Sequence, residues 1–424
     1  MLDLKYIREN FDAAKASLKR RSDAAAESLE AIRTSDTRRR ALQVEIDALK
    51  NQRNVVSKEV GQLKSKGEDA SAKISAMKEV GDRIAALEIE MRKVEAELEQ
   101  KALVIPNFPH ASVPDGQVAE KNREVRRHGE AGNYAFKPQA HWDLGPKLGI
   151  LDFERAAKIS GSGFVCHRGA GARLQRGLIS FMLDLHTQKH GYLEVSPPYL
   201  ILEKAMVGTG QLPKFAEDMY ALKDDPLYLA PTAEVPVTNL YREEILKNEQ
   251  LPLKLCAYSP CFRREAGAAG KDTRGMIRVH QFDKVELVKI VRPEESYAEL
   301  EKLVADAEVV LQMLGLHYRV MLLCAGDMGF CAAKCYDIEV WCPGVGAYLE
   351  VSSCSNFESF QARRMDLRYK DANGKNQVCH TLNGSGTALA RLTIALLETH
   401  QQADGTVVIP PALRSHMGGM ERIG

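Results

Sequence analysis

The sequence predicts an α+β protein, with an N-terminal antiparallel coiled-coil arm ahead of a domain built on an antiparallel sheet. Three observations predict it. Apolar residues recur at heptad spacing in two runs within the first hundred residues, separated by a glycine-centred break. Beyond about Ala156, short β-rich runs are separated by turns or helices in an order that fits antiparallel pairing better than regular βαβ alternation. Neither G-x-x-x-x-G-K-[ST] nor G-x-G-x-x-G occurs, which excludes a nucleotide site built on a P-loop or a dinucleotide-binding turn.

The chain opens with Leu4, Ile7, Phe11, Ala14 and Leu18 at the spacing of an amphipathic surface helix, with no apolar core of a signal peptide. From about Glu27 to Gln100 there is no proline. The first heptad run is Leu42, Ile46, Leu49, Val56, Val60 and Leu63, and the second is Met77, Val80, Ile84, Leu87, Met91, Val94 and Leu98. Between them Lys66-Gly67-Glu68-Asp69 can reverse the chain, so two helices pair as a hairpin over about 27–100. Some 35 residues at the helical rise make an arm about 50 Å long. Seven basic residues against three acidic ones lie between Lys50 and Lys78, and the balance reverses from Glu79 to Glu99. A basic tip on a rod suits phosphate contact with an RNA, while a dimerising coiled coil explains the heptads equally well.

The segment Ile105 to about Gly149 is rich in proline, glycine and asparagine and reads as a linker and entry loop. The domains are therefore 1–105 and 106–424. Within the second, Leu174 to Lys189 reads as a helix, and Tyr192 to Leu200, interrupted by Pro197-Pro198, as an edge strand. Further strands are expected at Leu253–Tyr258, Val285–Val291, His317–Cys324, Tyr336–Trp341 and Ala347–Ser352.

Composition narrows the classes. With 424 residues, 45% apolar and 27% charged, the chain is long enough for two or three domains. A net charge of +1 means that any nucleic-acid partner must be read from local charge. No run of uncharged apolar residues is long enough to span a membrane, so no membrane partner is expected. The nine cysteines form no CxxC pair; they read as reduced thiols of a cytoplasmic protein, and no zinc is expected.

Four segments carry residue types suited to chemistry. Pro231-Thr232-Ala233-Glu234-Val235-Pro236 puts a hydroxyl and a carboxylate in a stiff loop. Cys261-Phe262-Arg263-Arg264-Glu265 leads through a glycine-rich loop to Arg278-Val279-His280-Gln281-Phe282-Asp283-Lys284-Val285-Glu286. On an extended strand Arg278, Phe282, Lys284 and Glu286 share one face, which can stack a base, neutralise a phosphate and hold an amine. Glu350-Val351-Ser352-Ser353 offers oxygen ligands for a hard cation. Asn383-Gly384-Ser385-Gly386 runs into a small-residue helix with Arg391 in its first turns, its glycines allowing close backbone approach to a ligand. Singly, each also fits a charged turn, a surface hairpin or tight helix packing.

Together they resemble the class II aminoacyl-tRNA synthetases. Arg263-Arg264-Glu265 with Arg278-Val-His-Gln-Phe282 resembles motif 2, Asn383-Gly-Ser-Gly through Arg391 resembles motif 3, and the helix before Tyr192 with the Pro197-Pro198 strand resembles motif 1, the dimer-forming element. Thr232-Ala-Glu234, Glu350-Val-Ser-Ser353 and the hairpin narrow the resemblance, nearly end to end, to the seryl-tRNA synthetases of bacterial type. Arg264 stands where a smaller residue is common in that family.

This resemblance implies an antiparallel class II catalytic domain that activates L-serine with ATP and transfers it to tRNA(Ser), with tRNA(Sec) an open second acceptor. It implies catalytic arginines at Arg263 and Arg391. Thr232, Ala233, Glu234, Arg263, Glu286, Asn383 and Ser385 would bind serine. Arg263, Arg264, Glu265, Val279, Phe282, Glu350, Val351, Ser352, Ser353 and Arg391 would bind ATP, with Glu350 and Ser353 holding Mg2+. Arg53, Lys58, Lys64, Lys66 and Lys73 would meet tRNA, in a homodimer whose arm reaches across to the other subunit. Three rivals stay open: another class II synthetase, a homologue that charges a carrier protein, and a non-catalytic RNA-binding or coiled-coil protein.

Overall fold

The computed structural model describes residues 1–266 and 273–424; the glycine-rich stretch of the second chemical segment lies largely outside them. The chain divides into two compact units, Asp3–Ile105 and Pro106–Gly424 with Met1–Leu2.

In the first unit the opening amphipathic stretch is two short helices, Leu4–Glu9 and Phe11–Lys19, rather than one. The break falls at Asn10, whose backbone leaves the helical region and whose side-chain amide bonds back to the Tyr6 carbonyl. Helix α1 (Asp23–Ser65) starts at Ser22, whose hydroxyl caps the Ala25 amide at 3.1 Å. Gly67, at φ 74°, turns the chain, and α2 (Ser71–Leu103) returns antiparallel. Leu42, Ile46, Leu87, Met91 and Val94 are buried between the helices, whereas Val56, Val60, Leu63, Met77 and Val80 near the turn are only half-buried. The heptad stripe is thus the packing seam, dry at its base and looser at its tip.

The second unit is an eight-stranded sheet. In chain order its strands are β1 (Arg123–His128), β2 (Leu193–Glu194), β3 (Leu253–Phe262), β4 (Gln281–Val291), β5 (Tyr318–Leu322), β6 (Lys334–Cys342), β7 (Ala347–Asn356) and β8 (His380–Ala388). They lie in the order β1-β5-β6-β7-β8-β4-β3-β2, antiparallel throughout except for the β2/β3 edge pair. β4 is buried along Lys284–Val291, as expected of a central strand. Helices α3 (Ala170–Gln188), α4 (Ser296–Met313) and α5 (Leu389–His400) pack their apolar stripes on the sheet, with Leu178, Met182, Leu303, Ala307, Leu392 and Leu396 in one continuous core.

One expectation needs correction. The supposed linker contributes β1, a sheet edge whose six residues are all exposed, and Asn107, whose buried amide donates to the Cys331 and Phe357 carbonyls. A charged, fully exposed edge strand lacks the alternation that marks strands. The Asn383-Gly-Ser-Gly stretch lies inside β8, which runs directly into the small-residue helix expected after it.

All nine cysteines are free, eight of them buried. Among the described residues no helix is long and apolar enough to cross a membrane, and no group of three or more His, Cys, Asp or Glu side chains is arranged to hold a metal ion.

Candidate active site

The site lies on one face of the sheet, where β3, β4, β7 and β8 meet. Strand alternation builds it. Along β8, Asn383 and Ser385 face a cavity of about 370 Å3, while Gly384 and Gly386 face the covering helices. A Cβ at Gly384 would meet Leu303 Cδ2 at 2.2 Å, and one at Gly386 would meet His186 Nε2 at 3.0 Å. These glycines therefore serve close packing of helix on sheet, not approach of backbone to ligand.

Two β-bulges adjust the wall. In β7, Glu350 pairs with Glu339 and Ser352 with Ile338, so Val351 is the extra residue. In β8, Ser385 pairs with Glu286 and Thr387 with Val285, so Gly386 is extra. Each bulge breaks the period of two, which is why Glu350, Val351 and Ser353 all reach the cavity.

At one end sits a buried polar network. Glu286 is fully buried on β4; it accepts from Thr232 Oγ1 at 3.2 Å and Asn383 Nδ2 at 2.9 Å, and it is ion-paired with Lys284. Asn383 Nδ2 also donates to Glu234 at 3.1 Å, and Gln361 Nε2 donates to Glu234 at 2.6 Å. One amide thus bridges two carboxylates, of which only Glu286 has a lysine. Glu234 has no ion-pair partner among the described residues, and burial together with the Glu286 charge raises its pKa to about 7. A carboxyl in that condition is suited to a substrate cation.

The other end carries guanidinium groups and an aromatic face. Arg263 follows β3; its Nε donates to the Pro231 carbonyl at 3.3 Å, and its guanidinium lies 5.3 Å over the Phe282 ring. Glu265 adopts φ 52°, a left-handed backbone for a non-glycine residue. Asp218 clamps this corner, its carbonyl accepting the Arg264 amide at 2.9 Å and its carboxylate the Ala266 amide at 3.0 Å. Glu265 meets Arg278 at 2.9 Å. Arg391, on the first turn of α5, donates to the Ile277 and Glu350 carbonyls at 3.1 and 2.8 Å and lies 3.5 Å from the Glu350 carboxylate.

Of the expected site residues, the cavity collects Thr232, Glu234, Arg263, Glu265, Val279, Phe282, Glu350, Val351, Ser353, Asn383, Ser385 and Arg391, with Glu286 directly behind. Three fall elsewhere. Ala233 packs into the core with Val237, Leu255 and Val288. Ser352 points away, its hydroxyl donating to the Ser385 carbonyl at 2.6 Å. Arg264 is exposed and is not among the residues lining this cavity; its amide donates to the Asp218 carbonyl. Arg278 precedes β4, so it does not share the strand face with Phe282; it reaches the cavity from a bend.

Four residues were missed as site members: Lys284, Arg278, Gln211 and Gln361. The first two were legible on the proposed face. Gln361 sits in the Phe360-Gln-Ala-Arg-Arg run after Ser353, but only tertiary contact brings it to Glu234. Gln211 gave no local signal. On the arm, Arg53, Lys58, Lys64 and Lys66 are exposed, and Lys73 pairs with Glu59.

Residues 1–109 match the seryl-tRNA synthetase N-terminal domain, and residues 219–400 match the class II core domain of tRNA synthetases (G, H, P, S and T). The chain is 54% identical over 424 residues to a serine–tRNA ligase of Syntrophomonas wolfei, covering 100% of this chain and 99% of that one. To that of Heliobacterium modesticaldum it is 59% identical over 419 residues, covering 99% of each. Among solved structures, seryl-tRNA synthetase from Pyrococcus horikoshii complexed with ATP matches with a TM-score of 0.95 at 39% identity, over 100% of this chain and 99% of that one. The cytoplasmic serine-tRNA ligase of Naegleria fowleri in complex with AMP matches with a TM-score of 0.90 at 28% identity, over 100% and 98%.

Proposed function

The chain belongs to the seryl-tRNA synthetase family and is a serine–tRNA ligase, and from that premise we propose how its residues carry out the reaction. What carries the reading is the convergence on one cavity of a buried two-carboxylate network with three arginines and an aromatic face.

Serine binds with its ammonium against Glu234, the carboxylate that has no lysine of its own. Its hydroxyl reads the Glu286, Thr232 and Asn383 cluster. A site built around a hydroxyl rejects the analogue lacking it by up to about 10⁴-fold, because buried polar groups would be left unpaired. ATP lays its adenine on Phe282, with Glu265 accepting from the exocyclic amine and Val279 adding main-chain contact. Arg263, now over the Phe282 ring, turns its fork to the serine carboxylate and the α-phosphate, and Arg391 takes the γ-phosphate. The serine carboxylate attacks the α-phosphorus and expels pyrophosphate. Both reactants bring their own nucleophile and leaving group, so catalysis is placement and charge neutralisation.

Glu350 and Ser353 supply the hard oxygen donors that Mg2+ takes beside substrate phosphates. The corner fits a cation. The Glu350 carboxylate and the Ser353 hydroxyl both line the cavity wall, with the Arg391 guanidinium 3.5 Å from the carboxylate. A bound Mg2+ would supply charge neutralisation at phosphate oxygens.

The exposed basic residues of the hairpin tip meet the tRNA backbone. The edge strand β2, with Leu193 61% exposed, and the separate strand Leu200–Leu202, which pairs with Leu227–Leu229 and leaves Leu200 and Leu202 each 47% exposed, are the candidate homodimer seam, across which the arm serves the other subunit. Cytoplasmic residence and charging of tRNA(Sec) belong to the same proposal. Serine-dependent ATP–pyrophosphate exchange, run across the amino acids, tests the core of it. Exchange with serine alone is expected; comparable exchange with another amino acid overturns it.

A further inference from the structure

The two carboxylates at the amino-acid end are given different partners. Glu286 has the Lys284 ammonium. Glu234 receives two neutral amides: Asn383 Nδ2 donates to its Oε2 at 3.1 Å, and Gln361 Nε2 donates to its Oε1 at 2.6 Å. Asn383 lines the cavity, whereas Gln361 does not; it stands behind Glu234, fully buried.

Gln361 is itself held on every polar atom. It sits on the short helix Phe360–Met365, whose Phe360, Ala362 and Met365 are buried. Its Nε2 also donates to the Thr209 carbonyl at 3.2 Å, and its Oε1 accepts from Thr381 Oγ1 at 2.7 Å. A carbonyl can only accept, so the amide nitrogen belongs on the Thr209 side and the oxygen on the Thr381 side. Thr381 lies on β8 two residues before Asn383, and Thr209 lies two residues before Gln211 of the cavity wall. One side chain thus ties Glu234 to β8 and to the turn carrying Gln211. The charged groups that bear on Glu234 are Glu286 and Lys284 on β4 and Arg263 after β3. On the short helix, Arg363 donates to Ser359 Oγ at 3.1 Å and Arg364 to the Val207 carbonyl at 3.2 Å, so that helix meets Glu234 with a neutral group.

We infer that Gln361 is a positioning residue for serine: it holds the Glu234 carboxylate by a donated hydrogen bond, so that the remaining lone pairs of that carboxylate meet the substrate ammonium; this rests on the ligase reading. An ionised carboxylate accepts at about four lone-pair sites, and the two amides occupy two of them. A neutral donor suits the task. A lysine at 361 would neutralise Glu234, as Lys284 neutralises Glu286, and would repel the ammonium. An apolar side chain would leave a carboxylate buried beside Glu286 with one donor fewer. A donated hydrogen bond favours the charged form of a carboxyl group, so its loss moves ionisation of Glu234 to higher pH.

The test uses full-length enzyme and compares Gln361→Met, which keeps the length and removes the donor, with Thr381→Val, which keeps the amide and removes the hydroxyl that orients it. Serine KM and ATP KM in pyrophosphate exchange are measured from about pH 6 to about pH 8.5. For Gln361→Met, serine KM is expected to rise about tenfold at pH 6, with the rise shrinking to about twofold at pH 8, because the variant carboxyl ionises later than the parent's. Thr381→Val is expected to show the same pattern at about threefold, and ATP KM is expected to stay within about threefold of the parent in both. A serine KM unchanged in Gln361→Met would overturn the inference. So would a rise by one factor at every pH, which is what lost packing alone produces, or a parallel rise in ATP KM. Should Gln361→Met fail to fold, the same criterion applied to Thr381→Val decides. A parent enzyme that does not exchange with serine would instead overturn the ligase reading, before Gln361 is touched.

Discussion

The arm and the sheet domain are held together by opposite kinds of contact. In the arm, the seam repeats within each helix and the loop is a single turn at Gly67. In the sheet domain, the site depends on partners far apart in sequence: Thr232 and Glu286 are separated by 54 residues, Asn383 and Glu286 by 97, and Asn383 and Glu234 by 149. The difference teaches that the arm and the sheet domain are built on separable foundations. A rod with a local repeat can lengthen, shorten or be removed without disturbing strand register. A one-residue slip in β4 or β8 would turn Glu286 or Asn383 to the back of the sheet.

The largest expected effect tests that separation directly. Removing Leu29–Leu98 and joining the ends should abolish aminoacylation of tRNA while serine-dependent pyrophosphate exchange persists at the parent rate. Loss of exchange in a folded truncation would show that the two regions are not independent. Within the sheet domain the converse is expected: Arg263→Ala should cut exchange by about 10²–10³-fold, the cost of removing one charge-stabilising donor, with thermal unfolding little changed. Exchange near the parent rate would remove Arg263 from the chemistry.

Legibility in the sequence followed the same division. The heptad stripe and the Lys66–Asp69 break located the arm from periodicity alone, because its apolar pattern repeats every three or four residues along each helix. The central strands were legible as β-branched runs, and β1 was not, because Arg123–His128 is charged and exposed on both faces. Arg263, Phe282 and Arg391 were recognisable only as parts of a combination, since each alone fits a surface hairpin or a packed helix. Ser352 was misassigned because the bulge at Val351 is a property of register, which no local pattern announces. Gln361 and Gln211 reach the site through tertiary folding, with partners that no spacing rule supplies.

A smaller effect sharpens the view of the amino-acid end. Glu286→Gln keeps the shape but weakens the acceptor for Thr232 and Asn383 and leaves Lys284 without its counter-charge. Serine KM should rise by about 10–100-fold, from loss of hydrogen bonds to a charged group, while ATP KM stays within about threefold. Equal rises in both would mean that the change spreads through the sheet rather than acting at the hydroxyl.

The smallest effect concerns Glu234, whose carboxyl titrates at about 7 because it is buried beside Glu286. The sign differs between the free and the bound protein. In the free protein, ionising Glu234 is unfavourable, so its contribution to stability is fully present below the ordinary carboxylate range and is lost as pH rises through about 7. Serine binding runs the other way, because an ammonium ion is held by the ionised carboxylate and not by the neutral acid. Serine KM should therefore fall as pH rises from about 6 to about 8, by up to about tenfold for each unit below the carboxyl's pKa. ATP KM should show no matching trend, and Glu234→Gln, which cannot ionise, should bind serine weakly and lose the slope. A parent enzyme whose serine KM is flat across that range would place the substrate ammonium somewhere other than Glu234.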